Sequence, residues 1–192
     1  MGLGEVDKLK RDYAGVEVQY APFLLDASVP LEGRPQPPPS GPKSEARTYM
    51  EDRAEALALR FSEGRTMRSS SIPALQAAEF AADHGDCAEA FHRRVFDAYF
   101  DELEDIGDID TLVRLGEEAG LPGEELRQAL TDGVYREQVE EAVEGARLAG
   151  VRSVPTFIFD EQYAVVGAQE YETFQAVMKE LGREPREEGE QG

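Results

Sequence analysis

VRSVPTFIFDEQYAVVGAQ, residues 151–169, is the stretch on which the reading of the chain turns. Pro155 follows β-branched Val154 and leads directly into Thr156, Phe157, Ile158 and Phe159, a short apolar, β-rich run that predicts a buried strand. Proline is tolerated at the first residue of a strand but cannot donate to the ladder, so the loop it heads serves another purpose. Residues 160–162 (DEQ) read as a polar turn, and Tyr163, Ala164, Val165 and Val166 as a second short strand closed by Gly167. The two runs predict a hairpin. Beyond it, Tyr171, Phe174, Val177, Met178 and Leu181 recur at the spacing of one helical face.

Working outward, composition sets the bounds. A chain of 192 residues accommodates one domain, with or without an inserted subdomain, and can bury a core without covalent staples. It carries 40 acidic and 20 basic residues, a net charge of −20, and its basic residues are 16 Arg against 4 Lys. Such a surface repels nucleic acid and anionic membranes, whose recognition rests on clustered Lys and Arg. One cysteine, Cys87, excludes an intrachain disulfide framework. No apolar run approaches the roughly 20 residues needed to cross a bilayer, and the first residues lack the charged and apolar regions of a signal peptide. The expected protein is soluble and cytoplasmic.

From the start of the chain, Val6, Leu9 and Tyr13 share a face and predict a helix over 5–13, closed by Gly15. Residues 16–20 alternate Val16, Val18 and Tyr20 against Glu17 and Gln19, the pattern of a half-buried strand. Residues 26–43 hold Pro30, Pro35, Pro37, Pro38, Pro39 and Pro42 and are neither helix nor central strand. From 44 to 131 the pattern is helical with no strand candidate. A helix over 44–61 turns Tyr49, Leu57 and Phe61 inward, and Ser71 caps a helix that opens on Ile72 and Pro73 and runs to His84. The next begins near Asp86 and bears an aromatic seam of Phe91, Phe96, Tyr99 and Phe100 with Val95, read as core. Asp110 caps residues 111–119, Leu121 and Pro122 open a helix over 124–130, and Tyr135, Val139, Val143 and Leu148 mark the last helix, over 135–149. Residues 183–192 are charged and Gly-rich, a disordered tail.

The order strand, long helical stretch, Pro-headed hairpin, helix resembles the DsbA-like thioredoxin folds with an all-helical insertion, and more closely their cytoplasmic FrnE-like branch, related to the 2-hydroxychromene-2-carboxylate isomerases. Four segments carry the resemblance: VEVQYAPFLLDASVPLEG (16–33), FDAYFDELEDIGDIDTLVRLGEEAGL (96–121), VRSVPTFIF (151–159) and YAVVGAQEYETF (163–174). It implies an α/β, thioredoxin-like domain divided as 1–43, a helical insertion over 44–149, and the returning half over 150–182.

It also implies thiol-disulfide exchange on protein or peptide substrates. In that family a CxxC pair sits at the N-terminus of the first helix, where helix dipole and unpaired N–H groups favour the thiolate, and a cis-proline loop beside it binds substrate backbone. Carried over by position, Val154 and Pro155 are the substrate-facing loop. The sequence departs from the pattern at the decisive place: it has no CxxC, and GLGEVDKLKRDY (2–13) reads as the first helix entered just after that motif. The family's first, central strand is missing too, and its absence would leave strand edges without partners at roughly 1 to 3 kcal/mol per buried group. The expectation is that Met1 is an internal start, that a strand and CxxC lie upstream, and that this chain alone has no catalytic residue and no dithiol activity.

Cys87 in HGDCAEAF is read as a small packed residue rather than a nucleophile. His84, Cys87 and His92 make a weak metal pattern, and packed or solvated histidines are the better reading. No cofactor is expected for the dithiol reading. Two alternatives stay open: a glutathione-dependent isomerase or transferase, in which a serine replaces the first cysteine, and a non-catalytic protein that keeps the proline loop as a peptide-docking edge. Self-association is compatible with all three.

Overall fold

In the computed structural model, residues 2–37, 45–57, 59–85 and 87–186 are described. The order is α1 (Gly2–Asp12), β1 (Arg34–Pro35), α2 (Glu45–Ala56), β2 (Met67–Arg68), α3 (Ile72–Ala82), α4 (Cys87–Phe100), α5 (Ile109–Glu118), α6 (Gly123–Asp132), α7 (Arg136–Leu148), β3 (Thr156–Phe159), β4 (Tyr163–Val166) and α8 (Tyr171–Glu180).

Two apolar cores organise these elements. The first gathers Leu9 and Tyr13 of α1, Val165 of β4, and Phe174 and Met178 of α8, with Phe157 and Phe159 packed against them. Phe174 is fully buried, its ring edge-on to Phe157 at 4.9 Å and to Phe159 at 6.0 Å. The expected spacing of Val6, Leu9 and Tyr13 places all three inside. The second core lies among α3 to α6 and is centred on Phe91, Leu112, Leu115 and Leu126. There Gly116 lets two helices approach closely: a Cβ on it would lie 2.6 Å from Leu126 Cδ2.

The hairpin forms with the predicted bounds, pairing Thr156 with Val166 and Phe159 with Tyr163 in antiparallel register. It is not buried on both sides, as the apolar run suggested. Strand side chains alternate between faces, so Phe157, Phe159 and Val165 turn to the core while Ile158 is left 61 % exposed and Val166 lies on the open face.

Other expectations need correction. Residues 16–20 do alternate, with Val16, Val18 and Tyr20 half-buried and Glu17 and Gln19 exposed, yet among the described residues they pair with no strand. Alternation is a local property, whereas a ladder needs a hydrogen-bonded neighbour. Conversely, a short strand does occur within the stretch read as purely helical: Met67–Arg68 pairs antiparallel with Arg34–Pro35. Helix α2 ends at Ala56, so Phe61 lies outside it, packed edge-on to Phe100, while Tyr49 faces solvent and reaches Glu170 with its hydroxyl. Of that trio Leu57 alone packs inward, against Gly4.

The caps shift as well. Ser71 sits at the N-cap of α3 but its side chain makes no capping bond. For α5 the cap is Asp108, extended at φ −84° and ψ 126°, whose Oδ2 accepts from the Thr111 N–H at 2.8 Å; Asp110 lies inside the first turn and pairs with Arg127. Leu148, placed on the apolar face of α7, is 80 % exposed at the helix end. Asp86 and residues 187–192 lie outside the described residues. Of the remaining tail, the Arg186 N–H donates to the Asp12 carbonyl at 2.7 Å.

Candidate functional site: the Pro155 loop and the head of the first helix

The loop before β3 is held by backbone bonds at both ends. The Val151 N–H donates to the Ala146 carbonyl at 3.0 Å, tying the loop to α7, and Gly167 donates to the Pro155 carbonyl at 2.8 Å, tying it to the end of β4. Gly167 takes φ +84°, a conformation that suits a residue without Cβ. Thr156 Oγ1 donates to the Ser153 carbonyl at 2.7 Å. The Val154–Pro155 peptide bond is cis. Val154 is left 48 % exposed at the tip, and Pro155 is half-buried behind it.

Against this loop stands the N-terminus of α1. A Cβ on Gly2 would lie 3.0 Å from Phe157 Cζ and 3.4 Å from Pro155 Cβ and Cγ, so the helix head touches the proline ring. The first turn of a helix has N–H groups without intrahelical partners and a partial positive charge. The structure therefore brings together Val154, Pro155 and an electropositive helix end.

A buried ionic group supports this junction. Glu5, in the first turn of α1, is 1 % exposed and accepts from Arg53 Nη2 at 3.0 Å, while Lys8 Nζ lies 3.0 Å from its other oxygen as a charge contact outside hydrogen-bond geometry. Arg53 of α2 also donates to the carbonyls of Ala168 and Gln169 and sits 3.4 Å from Glu170. One guanidinium thus ties α2, the head of α1 and the chain after β4 into a single junction. The sequence reading missed Arg53: it stands in a polar helix, and its partners lie far away in the chain.

On its other flank α1 is clasped to α4. Asp7 pairs with Arg93, and Lys10 with Glu89. Glu89 is held below the usual carboxylate range by the bond from Lys10, with Arg93 adding to it.

The remaining candidates each pack on neighbours of their own. Cys87 opens α4, half-buried against the helical core, with its Sγ 3.5 Å from where a Cβ of Gly120 would sit. His84 stacks on Phe80 at 4.2 Å and its Nδ1 lies 2.8 Å from the Phe80 carbonyl. His92 stacks on Tyr20 at 3.8 Å. Among the described residues no group of three or more His, Cys, Asp or Glu side chains is arranged to hold a metal, and no helix is long and apolar enough to cross a membrane.

Comparison with known proteins agrees with this architecture. The profile of the DSBA-like thioredoxin domain matches residues 1–179. The chain is 30 % identical over 167 residues to uncharacterized protein YwbO of Bacillus subtilis (strain 168), spanning 86 % of this chain and 82 % of that protein. It superposes with a TM-score of 0.81 on the crystal structure of the probable DsbA oxidoreductase SCO1869 from Streptomyces coelicolor, at 27 % identity, covering 94 % of this chain and 83 % of the other.

Proposed function

This chain belongs to the DSBA-like thioredoxin domain family, and we propose that it takes part in thiol-disulfide exchange of the FrnE-like type, docking an extended protein or peptide substrate against Val154 and Pro155. The observation that carries this reading is the contact between the Pro155 ring and the head of α1. On this reading a substrate-facing loop would lie beside a helix N-terminus, a place where a thiolate is favoured. Substrate backbone laid along the loop at Val154 would use the open flank of the hairpin, a mode in which main-chain bonds give affinity and side-chain pockets give selectivity.

Net transfer of a disulfide by this route uses two thiols on one side: a thiolate attacks a disulfide sulfur and expels the partner sulfur as a thiolate, and the second cysteine then attacks the mixed disulfide, closing a disulfide with the first and releasing the substrate's other sulfur as a thiolate. These 192 residues supply only Cys87, which packs on the helical core. The chain as given is therefore read as the docking part of the reaction, without dithiol turnover of its own. A single cysteine and no structural disulfide suit a reducing, cytoplasmic setting.

The test separates docking from turnover. Scrambled ribonuclease A, an unfolded disulfide-bearing protein, is titrated calorimetrically into the 192-residue chain, into Val154→Asp and into Cys87→Ser. Binding by the parent and by Cys87→Ser, lost in Val154→Asp, is the expected result; binding indifferent to Val154→Asp removes the loop from the reading. In parallel, insulin reduction by the 192-residue chain should not exceed the uncatalysed rate. Protein purified from its native host is assayed beside it, with its thiols counted, and catalysis there without a second thiol would refute the dithiol chemistry.

A further inference from the structure

Away from the Pro155–α1 contact, a cleft of about 910 Å³ lies between segment 18–25 and the helices α3 and α4, with Val154 at one edge. That volume falls within the range of about 300 to 1,000 Å³ typical of small-molecule sites. One wall is a continuous aromatic run: Tyr20 stacks on His92 at 3.8 Å and 19°, His92 meets Phe96 at 4.8 Å, and Phe96 meets Phe100 at 5.6 Å. His92, Phe96 and Phe100 stand four residues apart on α4, so the helix itself sets their rings in a row. Of the seam that the sequence predicted as core, Phe91 is fully inside, whereas Phe96 and Phe100 form this wall.

Two hydroxyls on the cleft lining are buried without partners among the described residues. Ser69, 6 % exposed, lines the cleft with an Oγ that has no hydrogen-bond partner among the described residues, and the Tyr20 hydroxyl is in the same condition. A buried hydroxyl without a partner is costly, and a ligand acceptor relieves that cost. Part of the charge at the rim is already engaged: Asp26 pairs with Arg34 and Arg68, and Glu89 with Lys10 and Arg93, while Glu79 accepts from the neutral amide of Gln138. Burial also keeps the His92 imidazole neutral, with its pKa lowered to about 4.

We propose that this cleft binds an uncharged, flat aromatic molecule, laid against the wall formed by Tyr20, His92 and Phe96 and carrying an oxygen that accepts from the Ser69 or Tyr20 hydroxyl. The site shares Val154 with the docking loop at its edge, but it rests on its own observations and stands whether or not the docking role of Val154 does.

The probes are 2-naphthol, its anionic analogue 2-naphthoate and its cationic analogue 2-naphthylmethylamine, titrated into the full ¹⁵N-labelled chain at neutral pH. Saturable shifts with 2-naphthol, centred on amides of α4 and residues 69–78, and weaker or no response to the two ions, are expected. Ala78→Phe, which fills the cleft, should abolish the response. Phe96→Ala, at a half-exposed position, should weaken it by about fivefold, the worth of one aromatic contact. Ser69→Ala should weaken it by about fivefold, the worth of one neutral hydrogen bond. Far-UV circular dichroism and the thermal midpoint establish that each variant is folded, and Phe96→Ala and Ser69→Ala keep the test alive should Ala78→Phe not fold. Absence of saturable binding, binding unaffected by all three variants, or equal binding of either ion overturns the proposal. Scrambled ribonuclease A is the second occupant tested. Its shifting the same amides while 2-naphthol shifts none would overturn the proposal and give the cleft to substrate side chains.

Discussion

Burial of His92 makes the stability of this protein depend on pH in a window where its carboxylates are still charged. The imidazole is packed between Tyr20 and Phe96. Desolvation, reinforced by the Arg93 charge, lowers its pKa from 6.5 to about 4. The folded state therefore binds fewer protons than the unfolded chain between these values, so stability is complete above the unfolded pKa and is lost as pH falls toward the folded one. At about 1.4 kcal/mol per unit, the shift to about 4 corresponds to a total loss of about 3 kcal/mol, of which about 2 kcal/mol has gone by about pH 5. The assay is urea unfolding of the parent and of His92→Phe, which keeps the aromatic packing and removes the titration, at about pH 7.5 and about pH 5. Other titrating groups are common to both proteins, so the parent should lose about 2 kcal/mol more than the variant over that interval. Parallel losses in the two proteins, or an NMR titration that places His92 near its ordinary value in the folded chain, would refute the reasoning.

Two further outcomes follow from packing. Phe174→Ala empties the space between Phe157, Phe159 and α1, and should cost about 3 to 5 kcal/mol in chemical denaturation; a loss below about 1 kcal/mol would mean that this core is not closed. Gly116→Ala, a change that favours an exposed helix, should instead destabilise by about 1 to 3 kcal/mol, because the new methyl meets fully buried Leu126; a raised thermal midpoint would contradict the close approach of α5 and α6.

What the sequence discloses about this fold is what is local. The hairpin and α8 are legible because alternation, a polar turn and a glycine at positive φ are all encoded within a few neighbours, and the ends of α5 and α7 follow from Gly120 and Gly150 for the same reason. The α5 cap shows the limit of that reasoning. Asp108 and Asp110 are equally good candidates by residue type, and only the extended backbone at Asp108 and its bond to Thr111 decide between them. Residues 16–20 show another limit, since their side chains alternate as a strand's do while the ladder depends on a neighbour that local pattern does not specify.

The same division holds at the sites. Val154 and Pro155 stand out by chemistry and position in the chain. Arg53, Tyr20 and His92 do not, because what gives each its role is a partner brought by folding from a distant segment: Glu5 for Arg53, and for Tyr20 a ring on α4. A histidine in an aromatic helix carries no sign of which aromatic it will meet. Its inward register, shared with Phe96 one turn later, was the one signal available.

The clasp between α1 and α4 has a consequence for how the molecule responds to salt. The core around Phe174 and the core around Leu112 are separate apolar clusters, and across the gap between α1 and α4 the chain sets ions, Asp7 to Arg93 and Lys10 to Glu89. Apolar burial carries no charge to be screened, whereas charge pairs of this partly exposed kind weaken as the Debye length shrinks from about 10 Å at 0.1 M salt to about 3 Å at 1 M. Raised ionic strength should therefore weaken these two pairs between α1 and α4 before it affects either apolar core.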